Sequence, residues 1–168
     1  MLMRNPFYGA LAAAACLAAV AFAAPPKTVD WKTYVEPGGA YKINYPPGWQ
    51  VLTKGHALVI TSPGEPEVRG VFGITLRAGD VSMDEAVEKE FVDPDRSQDL
   101  QQSPARIADT PAIKVWGSKK GDPGTRIVEY YVQRGEHPYY ILFQAPHAAM
   151  VRYSPLFNAM IGSMKFLD

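Results

Sequence analysis

Tyr41, Ile43 and Tyr45 alternate with Lys42 and Asn44, the two-residue period of a half-buried strand. A polar leader precedes it, with a short strand expected around residues 31–35 and a turn at Pro37-Gly38-Gly39. Pro46-Pro47-Gly48 breaks the run. The pattern then predicts strands at 49–53 and 57–61, joined by a turn at Lys54-Gly55-His56, and a loop at 63–66. A longer strand is expected at 69–77, with Phe72, Ile74 and Leu76 on one face and Val71, Gly73 and Thr75 on the other. Ser82 and Glu85 are spaced as a capping box. The helix they open, through Val92, carries Met83, Ala86, Val87 and Phe91 on one side.

The stretch 93–104 is polar and contains two prolines, so it reads as a loop, followed by a short strand at 105–108 and a turn at Asp109-Thr110-Pro111. Strands are expected at 112–118, 125–134 and 139–145, with a loop at 119–124 and a turn at 135–138. A closing helix is expected to start with Ser154 as N-cap and Pro155 as first helical residue, with Leu156, Phe157, Met160 and Ile161 as its apolar face. The late strands are apolar on both sides. Val128, Tyr130 and Val132 oppose Ile127 and Tyr131, and Tyr139, Ile141 and Phe143 oppose Tyr140 and Leu142. A sheet with one wet face would alternate more cleanly, so both faces need cover, and two amphipathic helices are available to give it. Short turns make sequence neighbours antiparallel. The expected fold class is α+β: a three-layer α/β/α sandwich around a central, mostly antiparallel sheet.

Residues 1–23 do not belong to that pattern. Arg4 gives a short positive start, an uncharged Ala/Leu/Val run follows, and Ala21-Phe22-Ala23 is a small-x-small cleavage pattern. The division is therefore a signal peptide at 1–23, a leader at 24–38 and one domain at 39–168. Cleavage after Ala23 leaves a chain of net charge −1, since Arg4 is lost from a balance of 17 basic and 17 acidic residues. Two alternatives stay open: lipidation at Cys16, although Ala13-Ala14-Ala15 lacks the usual Leu before it, and retention as a membrane anchor. Cys16 is the only cysteine, so a cleaved chain has neither disulfides nor thiol chemistry and relies on its core for stability.

The even charge balance speaks against nucleic acid as a partner. A composition of 47% hydrophobic and 20% charged residues is that of a folded chain, not a disordered one. Candidate chemistry is sparse. No Gly-x-Ser-x-Gly elbow occurs, and Ser62, Ser118 and Ser163 have no recognisable base. His56, His137 and His147 are not at ligand spacing. Asp93, Asp95 and Asp99 match three calcium-loop positions, but Gln98 stands where the glycine belongs and no Glu closes the loop. Residues 117–124 are glycine-rich but sit between two strands, the wrong context for a phosphate loop. Tyr130, Tyr131, Tyr139, Tyr140 and Trp116 cluster on late strands. Half of them should be core, and the rest could line a patch that binds a partner or glycan. No catalytic, cofactor-binding or metal residue is assigned.

The run Tyr41-Lys-Ile-Asn-Tyr-Pro-Pro-Gly-Trp49-Gln-Val51 resembles the opening of PsbP-like domains, an aromatic strand followed by Tyr-Pro-x-Gly-Trp. The resemblance continues through Ser62-Pro63 to a helix ending in Met160-Ile161-Gly162-Ser163-Met164-Lys165-Phe166, about 130 residues in all. It implies an α/β/α sandwich and a family of photosynthetic oxygen-evolving subunits, bacterial envelope lipoproteins and a nuclear-import factor, mostly binding or assembly modules. The expected function is an exported, non-catalytic binding or assembly-accessory protein of the bacterial cell envelope, without cofactor. Its partner would be a protein or envelope component, and its membrane contact would be limited to a lipid on Cys16. The alternatives are a hydrolase with a spatially assembled Ser/His/Asp site and an extrinsic photosystem II-type subunit.

Overall fold

The structure is a computed structural model that describes residues 30–54, 57–74, 97–135 and 137–167. Two antiparallel sheets share one core. Strands β1 (Lys32–Val35), β2 (Tyr41–Tyr45) and β10 (Lys165–Phe166) form a three-stranded sheet in the order β1-β2-β10. The second sheet has seven strands: β3 (Gln50–Lys54), β4 (Ala57–Ser62), β5 (Glu65–Ile74), β6 (Ser97–Ile107), β7 (Thr110–Lys119), β8 (Asp122–Arg134) and β9 (His137–Pro146). Their spatial order is β3-β4-β5-β9-β8-β7-β6. One helix, α1 (His147–Ser163), is present among the described residues. The capping box, the helix expected through Val92, the signal segment and Cys16 lie outside the described residues.

The Pro-Pro-Gly-Trp corner separates the two sheets. Gly48 sits at φ 82°, a left-handed conformation that side-chain-bearing residues rarely adopt, and the Trp49 amide bonds back to the Pro46 carbonyl. β2 and β3, expected as paired neighbours, therefore lie in different sheets. Trp49 packs edge-on against Tyr153 at 5.8 Å and Phe157 at 6.4 Å, fastening the corner to α1.

The main core is built from the inward stripes of β2 (Tyr41, Ile43), β4 (Leu58, Ile60), β8 (Tyr130, Val132) and β9 (Ile141, Phe143, Ala145). Ala149, Met150, Phe157 and Met160 of α1 cover it, with the helix seated over β2, β5, β8 and β9. Phe143 stacks on Phe157 at 4.3 Å and meets Phe72 edge-on at 5.5 Å. At the helix end, Ser163 Oγ donates to the Met160 carbonyl and accepts the Asn44 amide at 2.9 Å, tying α1 to β2.

Four segments differ from expectation. α1 begins at His147, directly after Pro146, and runs through Pro155 instead of starting there. Buried residues on both sides of the proline, Met150 and Phe157, hold the helix together across the missing hydrogen bond. The expected loop 93–104 is in its second half a strand: β6 runs Ser97–Ile107 along β7, with a bulge between Gln98 and Gln101. Polar residues and Pro104 are acceptable there because β6 is a sheet edge. The loops expected at 119–124 and 63–66 shrink to tight turns, since β8 starts at Asp122 and β5 at Glu65.

The β6 bulge lies against Gly117. A Cβ at that position would stand 2.6 Å from the Gln98 carbonyl oxygen and 2.8 Å from Leu100 Cδ2. The first of these is backbone and cannot swing aside. Gly117→Ala is therefore expected to cost about 1–3 kcal/mol, read as a lower urea midpoint at unchanged m-value. An unchanged midpoint would show that the bulge is not tightly seated.

Candidate functional site

Each sequence candidate can now be placed. Ser62 Oγ lies 3.2 Å from the Tyr153 hydroxyl, Ser118 Oγ accepts from Arg126 at 2.7 Å, and Ser163 Oγ is used at the helix end. None of these three hydroxyls is hydrogen-bonded to a histidine among the described residues. His147 opens α1 and the backbone of His137 opens β9, while His56 lies outside the described residues. Asp99 sits in the β6 bulge at φ 55°, and Asp93 and Asp95 lie outside the described residues. Among the described residues, no group of three His, Cys, Asp or Glu side chains is placed to hold a metal.

The aromatic cluster divides by strand face. Tyr130 and Tyr139 join the main core, whereas Tyr131 and Tyr140 sit on the opposite face with Val115, Ile113 and Leu100. Between them is a residue that the sequence reading passed over. Glu129 is 2% exposed, and its two carboxyl oxygens accept from the Tyr140 hydroxyl at 2.5 Å and the Tyr131 hydroxyl at 3.0 Å. The signal was present in the sequence: Glu129 interrupts the stripe formed by Ile127 and Tyr131. Trp116, on the other face, packs on neither core cluster. Lys114 Nζ lies 5.4 Å from its ring and 5.9 Å from that of Tyr130.

The buried tyrosines also shape the response to base. Burial pushes the Tyr41 and Tyr130 hydroxyls above their ordinary value of 10.0. Tyr139 is raised by burial and further by Glu36, against a lowering effect of Arg134. A phenol raised in the folded state keeps its proton when the unfolded chain loses it. The folded state then loses stability as pH rises above about 10 and through the raised values. A titration of phenolate absorbance against pH should show these three tyrosines ionising later than the tyrosines of the unfolded chain. Their ionisation in the folded protein near 10 would contradict it.

Among the described residues, a cleft of about 690 Å³ lies where the two sheets meet. Its walls come from the β6–β7 turn, the end of β8, the end of α1 and β10. Arg106, Arg134 and Lys165 line it, against one carboxylate, Asp109. Arg134 stacks on Phe166, its guanidinium carbon 5.2 Å from the ring, and Phe166 in turn packs on Tyr139 at 4.6 Å. Ala108 and Asp109 both hold positive φ, 45° and 62°, and the Arg106 guanidinium grips the Asp109 carbonyl. Two residues of positive φ between paired strands form a type I′ turn, whose twist matches that of β6 and β7. Lys165 stands directly opposite Lys42 across β2 and β10, so two like charges share one face of the small sheet. The three cations come from residues far apart in sequence, which is why no local motif announced them. With two net positive charges on its lining, the cleft can hold an anionic group.

No family model and no curated protein matches the sequence. Solved structures do. Cyanobacterial PsbP (CyanoP) from Synechocystis sp. PCC 6803 superposes with TM-score 0.59 at 10% identity, over 88% of this chain and 98% of that one. LpqN, involved in cell envelope biogenesis of Mycobacterium tuberculosis, gives TM-score 0.53 at 12% identity, over 84% of this chain and 92% of that one. A protein of Bacteroides thetaiotaomicron VPI-5482 gives TM-score 0.57 at 15% identity over 82% of this chain, which spans only 48% of the Bacteroides protein. At these identities the likeness is one of fold, and the fold is PsbP-like α+β.

Proposed function

We propose that this chain is an exported, non-catalytic binding or assembly protein of the cell envelope, and that it holds an anionic partner in the cleft between its sheets. The observation that carries the reading is the cleft lining, where Arg106, Arg134 and Lys165 stand against one carboxylate, Asp109. The PsbP-like fold and its likeness to an envelope-biogenesis protein support the setting. The signal-like segment at 1–23 supports export. No described helix is long and apolar enough to cross a membrane.

Site-specific photo-crosslinking tests it. A crosslinking amino acid at Thr110, in the cleft, should capture a discrete envelope component in cells of the host, whereas the same group at Val151, 70% exposed on the outer side of α1, should not. The double variant Arg134→Glu/Lys165→Glu should abolish the Thr110 adduct. Equal labelling at both positions would overturn the reading. So would turnover by the purified chain on ester, phosphate or glycan substrates.

A further inference from the structure

The cleft has a property beyond its charge. Among the described residues, β10 is the edge strand of the three-stranded sheet, and its residues Lys165 and Phe166 form part of the cleft lining. The Leu167 amide donates to the Ala40 carbonyl on the β2 side. Because successive residues of an antiparallel strand point their N–H and C=O groups to alternate edges, the amide and carbonyl of Phe166 face away from β2. An edge of this kind takes up another extended backbone.

Resting on the reading above, we infer that the cleft binds an extended acidic segment of a partner protein, which adds to β10 as a fourth strand of the small sheet. The side chains specify the pattern. A partner residue directly opposite Lys165 falls in the row that holds Lys42 and Lys165 on one face. An acidic residue there converts a repulsive pair into an alternating row of charge. The next partner residue falls in the row of Tyr41 and Phe166, on the core side, where an apolar side chain fits beside the Phe166 ring. Arg134, stacked on that ring, and Arg106, across the cleft, then meet the flanking acidic residues. The recognised segment is thus acidic and apolar in alternation. A phosphate group or lipid headgroup would satisfy the cations and leave the Phe166 backbone unused.

Fluorescence anisotropy with a labelled short peptide of alternating glutamate and valine tests the inference on the chain lacking residues 1–23. The peptide should bind, with affinity falling as salt is raised. Lys165→Glu and Arg134→Glu should each weaken it about tenfold or more, with unchanged circular dichroism. The decisive arm alters the peptide and leaves the protein intact. N-methylation of the amides on the edge meant for β10 should weaken binding about tenfold, since it removes the strand hydrogen bonds and keeps every charge. The lysine–valine peptide should not bind. The inference is overturned if the N-methylated peptide binds as well as the parent. It is equally overturned if inorganic tripolyphosphate or phosphatidylglycerol vesicles bind at the cleft while the peptide does not, or if no peptide binds. In these last cases a Thr110 crosslink lost in the double variant would still uphold an anionic partner, so the two readings fail separately.

Discussion

Phe143→Ala is expected to destabilise the domain by about 3–5 kcal/mol, the range for removing a buried phenylalanine. Phe143 is the point where three elements meet. Its ring is stacked on Phe157 of α1 and edge-on to Phe72 of β5, and it is 1% exposed. Removing it leaves a cavity that α1 cannot close, because Ser163 and Trp49 fasten the helix on either side of the gap. The melting temperature should fall by roughly 10–20 °C, since a domain of this size loses a few degrees per kcal/mol. Phe143→Leu, which keeps most of the volume, should lose well under half as much. A small, equal loss for both variants would show that the helix is not held by this contact.

Glu129→Ala is expected to cost about 3 kcal/mol, because it leaves two phenol hydroxyls without their shared acceptor on a buried sheet face. The carboxyl bridges two directly opposed residues: Tyr140 stands opposite Tyr131 across β8 and β9, their rings 5.4 Å apart. A double-mutant cycle with Tyr140→Phe separates the bridge from simple burial. If the hydrogen bond to Tyr140 is formed as described, the two losses are strongly non-additive, with a coupling of about 1–2 kcal/mol. Additive losses would show that Glu129 and Tyr140 act independently.

Much of the fold was legible because period-two alternation is a local signal. β2, β4, β7, β8 and β9 lie close to where their stripes place them. The aromatic corner was legible as packing and the Met160-to-Phe166 tail only as a resemblance, and the structure gives their reason: Trp49 packs on the helix, and Ser163 accepts from β2. What misled was chemistry with two readings. Ser154-Pro155 is a good helix start in isolation, yet Ser154 donates to the Met150 carbonyl inside a helix already under way. Residues 97–104 lack a stripe because a sheet edge does not need one; their strand is fixed by pairing with β7. β10 is two residues long and exists only through its pairing with β2. The cleft was illegible for a similar reason. Arg106, Arg134 and Lys165 meet only after both sheets have formed, and no sequence window contains more than one of them.

The strand order carries a kinetic consequence. β5 pairs with β9, and β2 pairs with β10, so each sheet is completed by a strand made long after its partner. Tyr41 waits for Phe166, and Gly70 waits for Phe143. Contacts of such wide sequence separation slow folding, because chain closure precedes any gain from it. β3, β4 and β5 can pair with one another early, but the outer edge of β5 stays uncovered until β9 arrives. Closure of both sheets is therefore a late event, set by the arrival of β9 and β10.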